Sequence, residues 1–541
     1  MRRPLLILIA LAAITFALGL GRQAITDSDE AYYAEASREM AASGDWLTPH
    51  YNFTDRWQKP VLYYWLTAST YLLTGPGEGP ARLWSALAGV ALTLLTFATA
   101  RRHGSDAESQ WLAGAIVATS YGYFVMARSA LPDLPLTACI TATIAAALEA
   151  GRSGARRWWI AAGVFGGLGF LMKGPVAVAV PGVVLVPIWW LERRSTTISA
   201  TAVLTAAAVF CLVGLPWYLA MTATHGRPYL HSFFIADNLE RFATDRFNAP
   251  RPIWFYPAVL AGGLFPWTVH AAGPLVAAAV AAVRGRLRLS ASEIRLCVWT
   301  VMPLLLFMSS VGQQPRYILP VLPPLAILLA APLTVRARSG ARDLRVTAWL
   351  MAATFLALAA AVVRLRPMLV TVPAAAPWIG AMLLTGAAAT LAAAALFRYH
   401  ALNRVTVVTA AVFLLAVQFG ALAGLRPEPV EQMAAAIRTH RTAGERVGPY
   451  RTFMRNLVFY TGVRQEDLAD RAAAVRFLQS PDRVLLVIPA DELPGIESAS
   501  SVETTELFRV TYLDTAKLRL DALVHPAPEH QLQTVVLVAN R

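Results

Sequence analysis

The chain has 541 residues, of which 56% are hydrophobic and 15% charged, with a formal net charge of +14 at pH 7. So apolar a composition excludes the soluble globular classes, and its apolar runs reach bilayer-spanning length. The basic balance does not call for a nucleic-acid partner, because the arginines sit mostly in short loops between apolar runs, where membrane orientation places them.

The start, MRRPLLILIALAAITFALGL, has the basic head and apolar body of a signal peptide, with residues 19–24 as its cleavage region. The many apolar runs that follow favour an uncleaved first span. Spans are predicted near 4–20, 82–100, 111–127, 134–150, 157–171, 175–191, 199–220, 253–283, 293–311, 316–334, 345–363, 376–397 and 405–424, about thirteen in all. Arg2, Arg3, Arg101, Arg102, Arg152, Arg156, Arg157, Arg193, Arg194, the clusters at 284–288 and 336–345, Arg398 and Arg404 fall on one side, which the positive-inside rule makes the cytoplasm. Loops 21–81 and 221–252 and the tail from Arg426 then face outward. The expected fold is a polytopic α-helical membrane domain over 1–425 followed by an extracytoplasmic α/β domain over 426–541. In that tail EQMAAAIRTH and AAAVRFLQS read as helices, and NLVFYTG, RVLLVIP and QTVVLVAN as strands. Cys139, Cys211 and Cys297 all lie inside apolar runs and read as packing residues.

The polar loop over residues 26–66 carries the densest chemistry. Asp27, Asp29 and Glu30 cluster where a helix is predicted to start, running AYYAEASREMAA and stopping near Gly44. A capping box between Asp27 and Glu30 accounts for two of these acids. It leaves the third, the tyrosines that follow and the downstream lysine without a role. The whole chain has three lysines, Lys59, Lys173 and Lys517, and the first two sit at outward ends of membrane segments. Such scarcity points to sites that need a compact ammonium, against a snorkelling side chain at a helix end.

Arg82, Arg241 and Arg316 lie on the same face; singly each suits an interfacial anchor, and together they suit an anion site. Asp133 enters a span in ARSALPDLPLTA, as an N-cap or as a further functional carboxylate. A divalent cation near Asp29 and Glu30 stays open, although no His or Cys spacing requires a metal.

With these residues in view, the chain resembles the GT-C group of lipid-linked-sugar glycosyltransferases, in its aminoarabinose transferase (ArnT-like) branch, related to protein O-mannosyltransferases. The resemblance rests on DEAYYAEASREMAASGDWLTPHYN, QKPVLYYWL, ARLWSAL, ARSALPDLPL, GLGFLMKGPVA, NLERF, FPWTVH and SSVGQQPRYILPVLPPLAILLA, in that order from about residue 26 to 330. It implies transfer of a sugar, with inversion, from a polyprenyl (undecaprenyl) phosphate to a lipid A-like lipid, a glycan or a protein at the outer face of a bacterial cytoplasmic membrane. Under that reading Asp29 is the first candidate base, with Asp133 next and Glu30 beside them. Lys59, Arg82, Lys173, Arg241 and Arg316 bind the donor phosphate, and Tyr33 and Tyr317 line the cavity. Two positions depart from the branch's pattern. Gln58 stands where Glu commonly precedes the loop lysine, and Ala236 and Asp237 stand where a histidine is often found. A transporter or flippase of lipid-linked sugars, and a non-catalytic envelope assembly protein, are the competing classes. No internal repeat of the kind a transporter favours is visible.

Overall fold

The loop helix Asp29–Ser43 begins at Ser28, whose hydroxyl accepts from the Glu30 amide at 3.3 Å, and ends at Gly44 with φ 75°. The expected Asp27–Glu30 capping box is therefore not formed. The Asp27 carboxylate instead accepts from the Arg455 amide at 2.7 Å and the Met454 amide at 3.1 Å in the tail. This computed structural model describes residues 2–193, 198–245, 250–422, 424–514 and 525–541; Arg194 and Lys517 lie outside them.

Among the described residues from 2 to 422 the architecture is mostly helical. Among the described residues, seven helices are long and apolar enough to cross a membrane, or eight if the bent pair Ala200–Gly214 and Pro216–Ala243 is one span. Shorter apolar helices cover Arg3–Ala17, Val176–Leu191, Phe255–Leu264 and Trp267–Val283. Local chemistry explains where predicted spans divide. The run at 111–127 breaks between Ala107–Ala118 and Tyr121–Ala127, where the Thr119 and Ser120 hydroxyls donate back to the carbonyls of Ala115 and Ile116. The run at 253–283 breaks at Pro266, which has no amide hydrogen to continue the ladder.

Small residues let some helices touch along their backbones. A Cβ on Gly163 would lie 2.5 Å from the Ala206 carbonyl, so Arg156–Lys173 and Ala200–Gly214 meet only because that position is glycine. Helix Asp133–Ser153 turns through Gly154, at φ 67°, into Arg156–Lys173, so the last residue of the second returns beside the first residue of the first.

Beyond residue 425 lies a four-stranded sheet, ordered Arg446–Pro449, Val484–Pro489, Leu532–Ala539, Thr505–Leu513. The first pair is parallel and the other two antiparallel. Leu485 and Val487 pack with Met433 and Ile437 on one face, while Leu486 and Ile488 pack with Phe477 and Leu478 on the other. This two-sided burial explains the unbroken apolar run VLLVIP. The expected strand NLVFYTG is a helix, Leu457–Thr461, closed by Gly462 at φ 64°. Its side chains serve docking instead. Tyr460 Oη accepts from the Ile25 amide at 2.7 Å, and the Asn456 side-chain amide donates to the Ile25 carbonyl at 2.9 Å.

Candidate active site

Six segments converge on one cavity of about 790 Å³. The loop helix supplies Asp29, Tyr32 and Tyr33, and the segment after it supplies Arg56, Gln58 and Lys59. The helix pair just described supplies Asp133 and Lys173, and the segments at 232–242 and 306–320 supply Asp237, Arg241, Arg316 and Tyr317.

Each segment is fixed by local chemistry. Strands His50–Tyr51 and Thr54–Asp55 form a hairpin whose turn residues Asn52 and Phe53 both have positive φ, 54° and 61°. Glu39 holds that turn, its carboxylate oxygens accepting from the Phe53 amide at 3.1 Å. The hairpin then delivers Arg56 beneath Tyr32, with its guanidinium carbon 4.2 Å from the ring centroid, and Arg56 Nε donates to Tyr64 Oη at 3.2 Å. Tyr33 is buried against Tyr63 and Tyr64, each ring centroid 5.4 Å away. Residues 231–240 are wound as a π-helix, a form that recurs at functional sites, and Asp237 within it is buried and lines the cavity. Gly312 lets Arg241 approach, since a Cβ there would stand 2.0 Å from the Arg241 carbonyl oxygen. The Val311 amide and Ser310 hydroxyl then hold the next carbonyl, that of Phe242, at 2.9 and 3.2 Å.

Charges alternate around the cavity. Lys173 pairs with Asp133, and Arg316 bridges Asp29 and Asp133, its Nε 3.6 Å from the latter. Asp237 accepts from Arg241 at 3.0 Å and faces Lys59 Nζ at 3.5 Å. Lys173 Nζ lies 5.1 Å from the Tyr317 ring centroid. Burial pushes the Lys59 ammonium down to about 8, only partly offset by Asp237 and reinforced by Arg241 and Lys173. Burial works against the Asp29 charge, but Arg316, Lys59 and Arg56 outweigh it and hold its carboxyl below the usual range. The Asp29 side chain is 47% exposed while that of Asp133 is 5% exposed, so Asp29 is the carboxylate an incoming molecule can reach.

Two expected site residues stand elsewhere. Glu30 and Arg82, with side chains 3% and 2% exposed, form a buried pair at 2.8 Å and do not line the cavity. Arg82 also donates to the carbonyls of Leu20, Gln23 and Ala24, and Glu30 also accepts from Thr26 and from the Ala130 amide. The pair ties the loop to two helices rather than meeting a substrate. A cation shared by Asp29 and Glu30 does not fit, because both Glu30 oxygens are taken by these donors. Among the described residues no three His, Cys, Asp or Glu side chains gather as metal ligands. Arg56, Tyr32 and the role of Asp237 are not evident from the sequence alone. The four-residue spacing of Asp237 and Arg241 on one helical stretch was the available signal for the last.

A family model described as dolichyl-phosphate-mannose-protein mannosyltransferase matches residues 4–226. The undecaprenyl phosphate-alpha-4-amino-4-deoxy-L-arabinose arabinosyl transferase of Edwardsiella ictaluri is 36% identical over 309 residues, covering 56% of this chain and 54% of that protein. Its namesake from Pectobacterium carotovorum is 32% identical over 365 residues, covering 66% and 64%. The matched part thus spans little more than half of the first of these relatives. The crystal structure of ArnT from Cupriavidus metallidurans bound to undecaprenyl phosphate superposes with a TM-score of 0.74 at 22% identity, covering 99% of this chain and 98% of that one. In fold the chain is similar to ArnT, and over part of its length it is similar in sequence to the arabinosyl transferases. The likeness of fold takes in the mostly helical part and the tail alike.

Proposed function

We propose that this chain is an inverting glycosyltransferase of the bacterial cytoplasmic membrane. It moves a sugar from undecaprenyl phosphate, or a similar polyprenyl phosphate, to a lipid A-like lipid, a glycan or a protein on the outer face. The observation that carries this reading is one cavity in which five cationic side chains, Arg56, Lys59, Lys173, Arg241 and Arg316, surround a carboxylate open to approach, Asp29.

The chemistry asks for that pairing. As the acceptor hydroxyl oxygen bonds to the anomeric carbon, the bond from that carbon to the phosphate oxygen breaks and its electron pair leaves with the phosphate. The phosphodiester carries one negative charge and the departing monoester acquires a second. Fixed cations stabilise charge that appears only along the reaction path, which is the condition for accelerating it. Asp29, ionised at neutral pH because Arg316 lies against it, accepts the hydroxyl proton. Asp133, engaged by Lys173 and Arg316, is better suited to holding those two cations in place. With a phosphate as acceptor no such proton is removed, and Asp29 orients it instead.

The same reading makes residues 1–425 the membrane domain, with about thirteen helical segments and a cytoplasmic N-terminus, and residues 426–541 an extracytoplasmic domain. The arginine-rich loops and the docking of the tail on the loop that bears Asp29 support it. The test is Asp29→Asn in purified full-length protein. Undecaprenyl phosphate binding is expected to persist while transfer to a hydroxyl acceptor falls at least about 100-fold. Undiminished transfer to such an acceptor would remove Asp29 from the mechanism.

A further inference from the structure

The charge balance of the cavity says something about the sugar, given the transfer reaction proposed above. Among the described lining residues there are three carboxylates, Asp29, Asp133 and Asp237, and each already faces a cation of the protein. Against them stand five cations, leaving a formal excess of two positive charges. That excess matches a phosphate monoester dianion, the species that departs. Nothing is left over for a positive group on the sugar. An ammonium entering this space would find each carboxylate engaged by arginine or lysine and would face Lys59 and Arg241 across a partly desolvated gap, where like charges repel far more than in water.

What the lining does offer a sugar is neutral. Gln58 contributes an amide, Ser232 a hydroxyl, and Tyr33 and Tyr317 ring faces with phenolic oxygens, groups that suit hydroxyls. Gln58 adjoins Lys59 in the chain and lines the same cavity, so a carboxylate at this one position would give the site a fourth acid and something for an ammonium to pair with.

We propose that the donor sugar accepted here carries no ammonium group, and that the neutral side chain of Gln58 sets this preference. The sugar is recognised through hydroxyls, and an amino sugar is disfavoured because every lining carboxylate, the accessible Asp29 included, already faces a cation of the protein.

A matched pair of donors tests this: undecaprenyl phosphate bearing L-arabinose, and the same lipid bearing 4-amino-4-deoxy-L-arabinose, titrated at pH 7 against full-length wild type and Gln58→Glu. Undecaprenyl phosphate alone serves as the reference ligand. Wild type is expected to bind the hydroxyl sugar at least about tenfold more tightly than the amino sugar, and Gln58→Glu to shrink or invert that ratio by about tenfold. Equal or tighter binding of the amino sugar by wild type overturns the proposal, as does an unchanged ratio in Gln58→Glu. Failure of the reference lipid to bind at all would overturn the transfer reading as well, and so separates the two claims.

Discussion

Lys59 is the residue on which sequence, geometry and electrostatics meet. It is one of three lysines in the chain, it lies 3.5 Å from Asp237, and its ammonium is pushed down to about 8 by burial. The sign is direct. A lowered value means that the cation persists below about pH 8 and is lost as pH rises through it. The kcat/KM for donor, which reports the free enzyme, is therefore expected to fall above about pH 8, and bound phosphate moves the limb upward in kcat. In Lys59→Arg, whose guanidinium does not titrate in this range, the limb should vanish even if overall activity drops. A limb unchanged in that variant would assign it to another group.

Neighbouring acids show how far residue-level reading reaches. Asp27, Asp29 and Glu30 form one cluster on paper, yet they serve the tail, the cavity and Arg82 respectively. Consecutive helical residues point about 100° apart, which turns Asp29 toward the cavity and Glu30 toward Arg82. What was not available from the sequence was the destination of Glu30, since Arg82 lies 52 positions away. Glu30→Gln leaves Arg82 buried with its charge uncompensated. It is expected to lose about 3–5 kcal/mol of stability, measurable as a lowered Tm in detergent, with any loss of activity following from unfolding.

At the level of elements, apolar run length located the helices well but not their interruptions. Breaks at Ser120 and Pro266 arise from hydroxyl back-bonding and a missing amide, local effects that hydropathy averages away. The segment NLVFYTG misled for a related reason. Its β-branched and aromatic residues fit a strand, but Tyr460 and Asn456 are committed to the loop around Ile25, and tertiary docking overrode propensity. The 310–312 turn is the element that most directly positions a site cation. Gly312→Ala places a methyl against the Arg241 carbonyl, so a loss of about 1–3 kcal/mol or a displaced Arg241 is expected. Thermal unfolding and undecaprenyl phosphate titration together check this: weakened binding without any change in Arg56→Ala-sensitive affinity would fit a moved Arg241, whereas wild-type behaviour in both would contradict it.

Across the whole molecule, polarity is divided in a way that suits one reaction at one membrane face. In helices Asp133–Ser153 and Arg156–Lys173 the arginine-bearing ends lie opposite the ends that carry Asp133 and Lys173, and the tail closes on the loop that bears Asp29, with Arg455 Nε reaching Tyr32 Oη at 3.3 Å beside the cavity. Membrane class and the order of the elements were legible because long apolar runs are strong signals; lysine scarcity marked Lys59 and Lys173, and Tyr33 and Tyr317 followed from the family resemblance. Asp237 and Arg56 were not legible, because their meaning depends on which distant segments fold against them. The most direct test of the central claim is mass spectrometry of surface lipids, glycans and proteins from cells lacking the gene and complemented with wild type or Asp29→Asn. One class of molecule is predicted to carry an additional sugar only with wild type; identical profiles in all three strains would contradict a sugar transferase.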